Sequence, residues 1–219
     1  MSHSTSSVGA NAADVEGDAE GVLRRAAERQ ARAQRVLDAL DLVRRWSRYG
    51  RPVVVGSVAY GLVVEPDIDL EIYCVQPRVE DGFAVVSHLA LVPGVWKVRF
   101  SNELQGPDPG LYWQVRYRDP AAAAGQAQEV WTIDMWLLAD DYAGPRSADL
   151  VEPMRRALTP ETRAAILQIK EAFLGREAMH GIDIYRAVLD GGVRTPEAYE
   201  RWIAGQGPPG LTSWRPSID

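Results

Sequence analysis

Residues 56–72 of the chain read GSVAYGLVVEPDIDLEI. Asp67 and Asp69 lie two positions apart inside an apolar run. Alternate residues of a β-strand point to the same face, so the two carboxylates are expected to project together and repel each other. A divalent cation relieves such repulsion, and oxygen ligands suit Mg²⁺. The turn at Gly56 and Ser57 can offer backbone N–H groups to a phosphate. This stretch therefore predicts a metal site beside a phosphate site.

The order of these residues resembles the signature of the DNA polymerase β-like nucleotidyltransferase superfamily. In that signature a Gly-Ser pair is followed by Asp-x-Asp on the next strand, and a third carboxylate lies on a later strand. The matching positions here are Gly56-Ser57, Gly61, Asp67-Ile68-Asp69 and Asp134. The resemblance covers roughly residues 36–138. It implies an α/β (α+β) fold with a mixed β-sheet core flanked by helices, and the C-terminal sequence adds a small helical region.

The resemblance also implies a set of ligands, namely an NTP and two Mg²⁺ ions. The catalytic and metal-binding residues that it implies are Asp67, Asp69 and Asp134. In the family, the first two of these positions touch both ions. The third touches only the ion near the acceptor and can take the acceptor's proton. The expected nucleotide-binding residues are Gly56, Ser57, Gly61 and, on the helix after the sheet, Lys170.

Hydrophobic periodicity and turn residues divide the chain into four parts. The parts are a disordered tail (1–17), a core with a leading helix (18–140), a helical region (141–206) and an irregular tail (207–219). The leading helix is predicted from about Asp18 to Tyr49. Residues 119–128 read as a loop or a short turn of helix. Thr159 followed by Pro160 predicts another helix start, with the threonine as N-cap.

Composition narrows the function classes. The 219 residues suffice for one compact domain or one domain with a small appendage. A formal net charge of -6 opposes binding to nucleic acid. No apolar run approaches the roughly 20 residues that a membrane span needs. Cys74 is the only cysteine, so a reducing compartment, the cytoplasm, is expected.

Four further residues are candidates for the site. Glu71 continues the alternation of Asp67 and Asp69, and a solvated or arginine-paired side chain is favoured over an outer metal-site carboxylate. Glu103 is an alternative general base, in the manner of aminoglycoside nucleotidyltransferases. Trp113 and Trp136 could stack on a base, although core packing is favoured for each.

The arginines of the leading helix form one further group. They are Arg24, Arg25, Arg29, Arg32, Arg35, Arg44 and Arg45. A basic groove beside the metal site would favour tRNA as a partner. Most of these arginines are interpreted instead as a solvated helix face.

The sequence thus predicts Mg²⁺-dependent transfer of an NMP, with AMP preferred, from an NTP to a hydroxyl of a small molecule. Two alternatives stay open. The chain could be a non-catalytic nucleotide-binding regulatory protein of the same fold. It could also be a toxin-like nucleotidyltransferase that modifies tRNA or a protein.

Overall fold

The computed structural model describes residues 12–120, 129–176, 180–207 and 212–217. The strands are β1 (Arg51–Val55), β2 (Asp67–Cys74), β3 (Val95–Asn102), β4 (Leu111–Arg118) and β5 (Val130–Ala139). The helices are α1 (Ala12–Leu40), α2 (Leu42–Trp46), α3 (Gly56–Tyr60), α4 (Val79–Leu89), α5 (Val151–Ala157), α6 (Pro160–Ala172), α7 (Gly181–Leu189) and α8 (Pro196–Ala204). A 3₁₀ helix, Ser147–Leu150, leads directly into α5.

The five strands form one mixed sheet in the order β1-β2-β5-β4-β3. The pairing of β2 with β5 is parallel, and the other three pairings are antiparallel. The expected α+β architecture, a mixed sheet flanked by helices, is therefore confirmed. The parallel pairing places β2, which carries the Asp-x-Asp pair, beside β5, which carries the third aspartate. The last strand in sequence, β5, thus lies in the middle of the sheet rather than at its edge.

The leading helix differs from its prediction at both ends. Helix α1 begins at Ala12, so residues 12–17 are helical rather than part of a disordered tail, and residues 1–11 lie outside the described residues. Toward Tyr49 the predicted helix is interrupted, because Asp41 adopts a left-handed conformation (φ 50°) between α1 and α2.

The described residues form two large clusters of buried apolar side chains and a smaller third one of Tyr73, Leu138 and Tyr142. The first large cluster lies between the sheet and helices α1, α2 and α4, with Trp46 and Trp113 fully buried in it. The second joins α3 to helices α5–α8 and to the N-terminal half of α1. Helix α1 contributes Val36 to the first cluster and Val22 to the second. The helical region therefore packs against the same long helix as the sheet.

The helical region begins earlier than its clearest sequence signal. Thr159 is the N-cap of α6, as predicted: its hydroxyl accepts a hydrogen bond from the Thr162 backbone N–H, and Pro160 is in the first turn. The 3₁₀ helix and α5 before it were not predicted. The predicted loop at residues 119–128 lies largely outside the described residues, as does much of the irregular tail. Residues 212–217 form no helix or strand.

Candidate active site

Three aspartates meet on one face of the sheet. Asp69 on β2 is the register partner of Asp134 on β5, and Asp67 lies two residues earlier on β2. Asp67, Asp69 and Asp134 each offer a carboxylate oxygen within 4.8 Å of the others. The opposite side of β2 carries Ile68 and Leu70, which are buried in the apolar core. Strand alternation therefore presents the carboxylates to the open face and anchors the strand through its other face.

The electrostatics of this cluster favour a cation. Burial, with the carboxylates of Asp134 and Glu65, raises the pKa of Asp67 above its usual range. Burial and the carboxylates of Asp67 and Asp134 likewise raise the pKa of Asp69. One oxygen of Asp67, Oδ1, is buried without a hydrogen-bond partner among the described residues. The three neighbouring carboxylates therefore fit a Mg²⁺ site, because a bound Mg²⁺ ion would supply positive charge between them.

Asp134 has a firmer set of protein partners. The Tyr112 hydroxyl donates a hydrogen bond to Asp134 Oδ1 over 2.6 Å, and Gln114 Nε2 donates to the same oxygen over 3.0 Å. Both partners come from the neighbouring strand β4, where Gln114 is the register partner of Asp134. Burial and the hydrogen bond to Asp134 raise the pKa of Tyr112, so the phenol stays a donor. These contacts fix the third carboxylate and leave its second oxygen free of both donors.

The Gly56–Ser57 turn opens α3 directly after β1, and Gly56 lies against Asp69. Gly56 has φ +63°, a left-handed conformation that favours glycine. A Cβ atom at this position would collide with the Asp69 carboxylate. Phosphate binding is the reason that the resemblance gives for this glycine. The structure adds a second one, which is the close approach of Asp69.

Ser57 and Gly61 both have defined positions in this turn. Helix α3 begins at Gly56 with Val55 at its N-cap position, so Ser57 is inside the first turn and is not a cap. Gly61, with φ +69°, ends α3, and its backbone N–H donates to the Ser57 carbonyl oxygen. Gly61 is not among the residues of the cavity wall described next. The structure gives Gly61 the role of ending α3, and its predicted part in nucleotide binding stays a prediction.

Lys170 closes the site from the helical region. Its side chain is 4% exposed, and Nζ donates to Ser57 Oγ and to the Leu62 carbonyl oxygen, each over 2.8 Å. Its positive charge also lowers the pKa of Asp67 and Asp69, although by less than burial raises each. A cavity of about 300 Å³, the Lys170 cavity, opens here. Its wall is formed by Gly56, Ser57, Tyr60, Glu65, Asp67, Asp69, Ser147, Leu150, Lys170, Gly181, Ile182 and Tyr185.

A second cavity, the Tyr112 cavity, has a volume of about 350 Å³. Its wall is formed by Ser101, Glu103, Pro107, Asp108, Tyr112 and Trp136. Because the Tyr112 hydroxyl contacts Asp134, this cavity adjoins the third aspartate. The rings of Tyr112 and Trp136 lie 5.0 Å apart, whereas Trp113 is buried in the core and has no exposed face for a base. Glu103 belongs to this cavity and not to the aspartate cluster.

Glu71 differs most from its prediction. It is 7% exposed, and it pairs with no arginine among the described residues. Its carboxylate accepts hydrogen bonds from the backbone N–H groups of Ser147 (2.9 Å) and Ala148 (2.8 Å) and from the Tyr73 hydroxyl. The prediction of a solvated or arginine-paired side chain is wrong, because the carboxylate is buried and its partners are two backbone N–H groups and a phenol.

The arginines of α1 are only partly a solvated face. Arg25 and Arg29 both form ion pairs with Glu171 on α6, at 2.6 and 2.9 Å. Arg32 forms an ion pair of 2.8 Å with Glu129, at the start of β5. These three side chains attach α1 to its neighbours and so are unavailable as a free basic groove.

Comparisons with known proteins give structural matches only. No family model and no curated protein sequence matches the chain. A structure of Cid1, described for its RNA terminal uridylyl transferase activity, matches with TM-score 0.52 and 12% identity, over 80% of this chain and 52% of that one. A cytoplasmic RNA terminal U-transferase matches with TM-score 0.50 and 12% identity over the same shares. A Cid1 mutant bound to MgATP matches with TM-score 0.50 and 15% identity, over 74% of this chain and 50% of that one.

These matches, together with the aspartate cluster, support the resemblance seen in the sequence. The chain shares the fold of these solved structures, and Asp67, Asp69 and Asp134 meet in one cluster as the sequence resemblance predicted. It spans about half the length of the solved structures that it matches. Within the described ranges, no helix has both the length and the apolar character that crossing a bilayer requires.

Proposed function

We propose that the protein is a Mg²⁺-dependent nucleotidyltransferase that moves an NMP, with AMP preferred, from an NTP to a hydroxyl of a small molecule. One observation carries this proposal. Asp67 and Asp69 line the Lys170 cavity, and Asp134 accepts a hydrogen bond from Tyr112, which lines the Tyr112 cavity, so the aspartate cluster contacts residues of both cavities. A transfer reaction needs such a pair of sites, one for the donor and one for the acceptor.

The Lys170 cavity is the proposed donor site. A triphosphate is strongly anionic, and the buried Lys170 ammonium, with the backbone N–H groups of the Gly56–Ser57 turn, offers it positive charge and hydrogen-bond donors. Asp67 and Asp69 face the same cavity. They would repel the phosphates unless Mg²⁺ lies between, so metal and nucleotide are expected to bind together.

Asp134 is the proposed proton acceptor. The acceptor's hydroxyl oxygen forms a bond to the α-phosphorus, the bond from that phosphorus to the leaving oxygen breaks, and pyrophosphate departs. Tyr112 and Gln114 both donate to Oδ1 of Asp134, and this supports the proposal that its other oxygen takes the hydroxyl proton. Two Mg²⁺ ions held by Asp67, Asp69 and Asp134 would supply charge neutralisation for the attacking and leaving oxygens.

The Tyr112 cavity is the proposed acceptor site, and its character supports a small molecule. Its volume suits a compact ligand, and the rings of Tyr112 and Trp136 offer flat apolar faces. Among the described residues, two carboxylates, Glu103 and Asp108, line it, and no lysine or arginine does. A nucleic-acid acceptor would bring phosphates to an acidic wall of a protein whose net charge is -6. The lone Cys74 is consistent with action in the reducing cytoplasm.

The proposed function can be tested by incubating the protein with each labelled NTP, Mg²⁺ and either a metabolite extract, a tRNA pool or a protein extract. Mass spectrometry then identifies the labelled product. We expect a small-molecule product labelled from ATP, and no product with Asp69→Asn. Labelled tRNA or protein would favour the toxin-like alternative. Tight NTP binding without any product would favour the regulatory one.

A separate binding experiment tests the class of acceptor. We expect weak RNA and DNA binding at physiological salt. Micromolar or tighter tRNA binding at about 150 mM salt, with a steep dependence of log affinity on log salt concentration, would overturn the small-molecule acceptor.

A further inference from the structure

The segment 140–150, which leads from β5 into α5, lines the Lys170 cavity and contacts a wall residue of the Tyr112 cavity. Ser147 and Leu150 line the Lys170 cavity. The Tyr142 hydroxyl contacts the Asp108 carboxylate, which lines the Tyr112 cavity. The position of this one segment relative to β2 therefore affects the shape of both proposed sites.

The segment lacks a local means of holding its first helical turn. The first N–H groups of a helix have no partner within the helix and need an acceptor from elsewhere. Ser, Thr, Asp or Asn at the N-cap position normally provides one. Here the N-cap residue of the 3₁₀ helix is Arg146, which makes no capping hydrogen bond.

Glu71 supplies the missing acceptor from the strand that carries the metal-site aspartates. Its Oε1 accepts from the Ser147 N–H and its Oε2 from the Ala148 N–H, across 76 and 77 residues of sequence. The Tyr73 hydroxyl donates to Oε2 as well. Glu71 is two residues from Asp69 on β2, and Ser147 lines the cavity that contains Asp69. The Glu71 carboxylate thus joins β2 directly to the segment that contributes Ser147 to the wall of the Lys170 cavity.

We propose that Glu71 is a positioning residue, which fixes the segment 140–150 against β2 and so gives the Lys170 cavity its NTP-binding shape. The proposal rests on the proposed function for its nucleotide. Glu71 itself is not expected to touch the substrate, since it is 7% exposed and is not among the residues of the cavity wall.

Glu71→Gln is the sharpest variant because it changes only the hydrogen-bonding pattern of a nearly isosteric group. A glutamine has one oxygen and one NH₂ group in place of two oxygens. In either orientation of the amide, the NH₂ group would face one of the two backbone N–H donors. One donor is then left unsatisfied in a buried place, and the first turn of the 3₁₀ helix is expected to move away.

The direction of the change in ATP affinity distinguishes a positioning role of Glu71 from an effect of its negative charge. Removing a negative charge beside Asp69 would, by electrostatics alone, favour an anionic NTP. Positioning predicts the reverse, because a displaced cavity wall weakens binding. Calorimetry with ATP and Mg²⁺ is therefore expected to show affinity lowered by about tenfold or more in Glu71→Gln, a loss in the range caused by small misplacements in a site. In turnover assays, KM for ATP is expected to rise by a larger factor than kcat falls.

Tyr73→Phe is the matched control. It removes only the phenol donor and leaves the ring that packs between the Arg51 and Arg146 guanidinium groups. Both backbone N–H groups still reach Glu71 in this variant, so ATP affinity is expected to stay near that of the wild type. Should Glu71→Gln fail to fold, Glu71→Asp keeps the charge but shortens the side chain by one methylene. It is expected to weaken ATP binding in the same direction.

Hydrogen–deuterium exchange without nucleotide gives a readout independent of the proposed function. Peptides that cover residues 143–150 are expected to exchange faster in Glu71→Gln than in the wild type or Tyr73→Phe. Unchanged exchange there, ATP affinity that is unchanged or higher in Glu71→Gln, or equal losses in Glu71→Gln and Tyr73→Phe would each overturn the proposal. If the wild type binds no NTP, the proposed function and the nucleotide role of Glu71 both fail, whereas faster exchange in Glu71→Gln would still establish the Glu71 contact.

Discussion

Lys170 Nζ and Ser57 Oγ are joined by a hydrogen bond of 2.8 Å across 113 residues of sequence. The bond connects helix α6 to the turn that follows β1, so the helical region and the sheet meet at the proposed triphosphate site. The lysine is almost fully buried, and its charge is opposed by the nearby Asp67 and Asp69 carboxylates. This arrangement provides a cation at the proposed triphosphate site without an exposed basic patch.

Lys170→Met is expected to weaken ATP binding by about tenfold or more, since a hydrogen bond to a charged group contributes about 1.5–3 kcal/mol. Methionine keeps much of the volume and removes the ammonium. Calorimetry in the presence of Mg²⁺ measures the loss. Gln168→Ala, on the same helix with an exposed hydrogen bond to Asp18, is the control and should bind ATP like the wild type. Equal affinity of Lys170→Met and the control would remove Lys170 from the phosphate site.

Asp69→Asn is expected to lower the transfer rate by more than about 10²-fold, the scale of loss when one transition-state-stabilising group is removed. The swap is nearly isosteric and removes one of three neighbouring negative charges. The midpoint of thermal unfolding without metal is therefore expected to stay the same or rise. Product formation is followed by mass spectrometry, and Asp38→Asn on the exposed side of α1 serves as the control. Transfer at the wild-type rate would contradict the metal assignment.

The stability of the metal-free protein is expected to depend on pH at the aspartate cluster. The pKa values of Asp67 and Asp69 are raised in the folded state, so the folded protein binds their protons more tightly than the unfolded chain does. Below about pH 4, the ordinary pKa range of aspartate, these two carboxyl groups make their whole contribution to the free energy of unfolding. This contribution is lost as the pH rises through their raised pKa values in the folded state.

Thermal unfolding between about pH 5 and 8 measures this dependence, with and without Mg²⁺. The metal-free midpoint should fall with rising pH more steeply for the wild type than for Asp69→Asn, and Mg²⁺ should reduce the fall in the wild type. Identical pH profiles for the two proteins would show that the raised pKa values do not contribute to stability.

A comparison of Gly56→Ala with Gly192→Ala distinguishes backbone strain from crowding of the aspartate site. A left-handed conformation costs a residue with a Cβ atom about 1–2 kcal/mol. In addition, a Cβ atom at Gly56 would collide with the Asp69 carboxylate. Gly192 has nearly the same φ, +65°, and a Cβ atom there would meet no described atom within 4 Å. Gly192→Ala should therefore lose stability and retain activity, whereas Gly56→Ala should lose stability, Mg²⁺-dependent ATP binding and transfer. Full activity in a folded Gly56→Ala would contradict the close approach to Asp69.

The sequence alone determined the elements that rest on local rules. Alternation along β2 placed Asp67 and Asp69 on one face and their apolar neighbours on the other. Thr159 and Pro160 marked the start of α6 because capping depends on residues a few positions apart. The mixed sheet and the inclusion of Asp134 in the carboxylate cluster were predicted through the resemblance to the nucleotidyltransferase signature.

Only the tertiary structure decided which distant groups meet. Lys170 was a candidate for its position after the sheet, but its hydrogen bond to Ser57 depends on how α6 packs on α3. Glu71 was predicted to be a solvated or arginine-paired residue. Its partners are backbone N–H groups of Ser147 and Ala148, and a backbone donor carries no signature in the side-chain sequence. Local propensity acts over a few residues, whereas such contacts arise from packing between elements far apart in the chain.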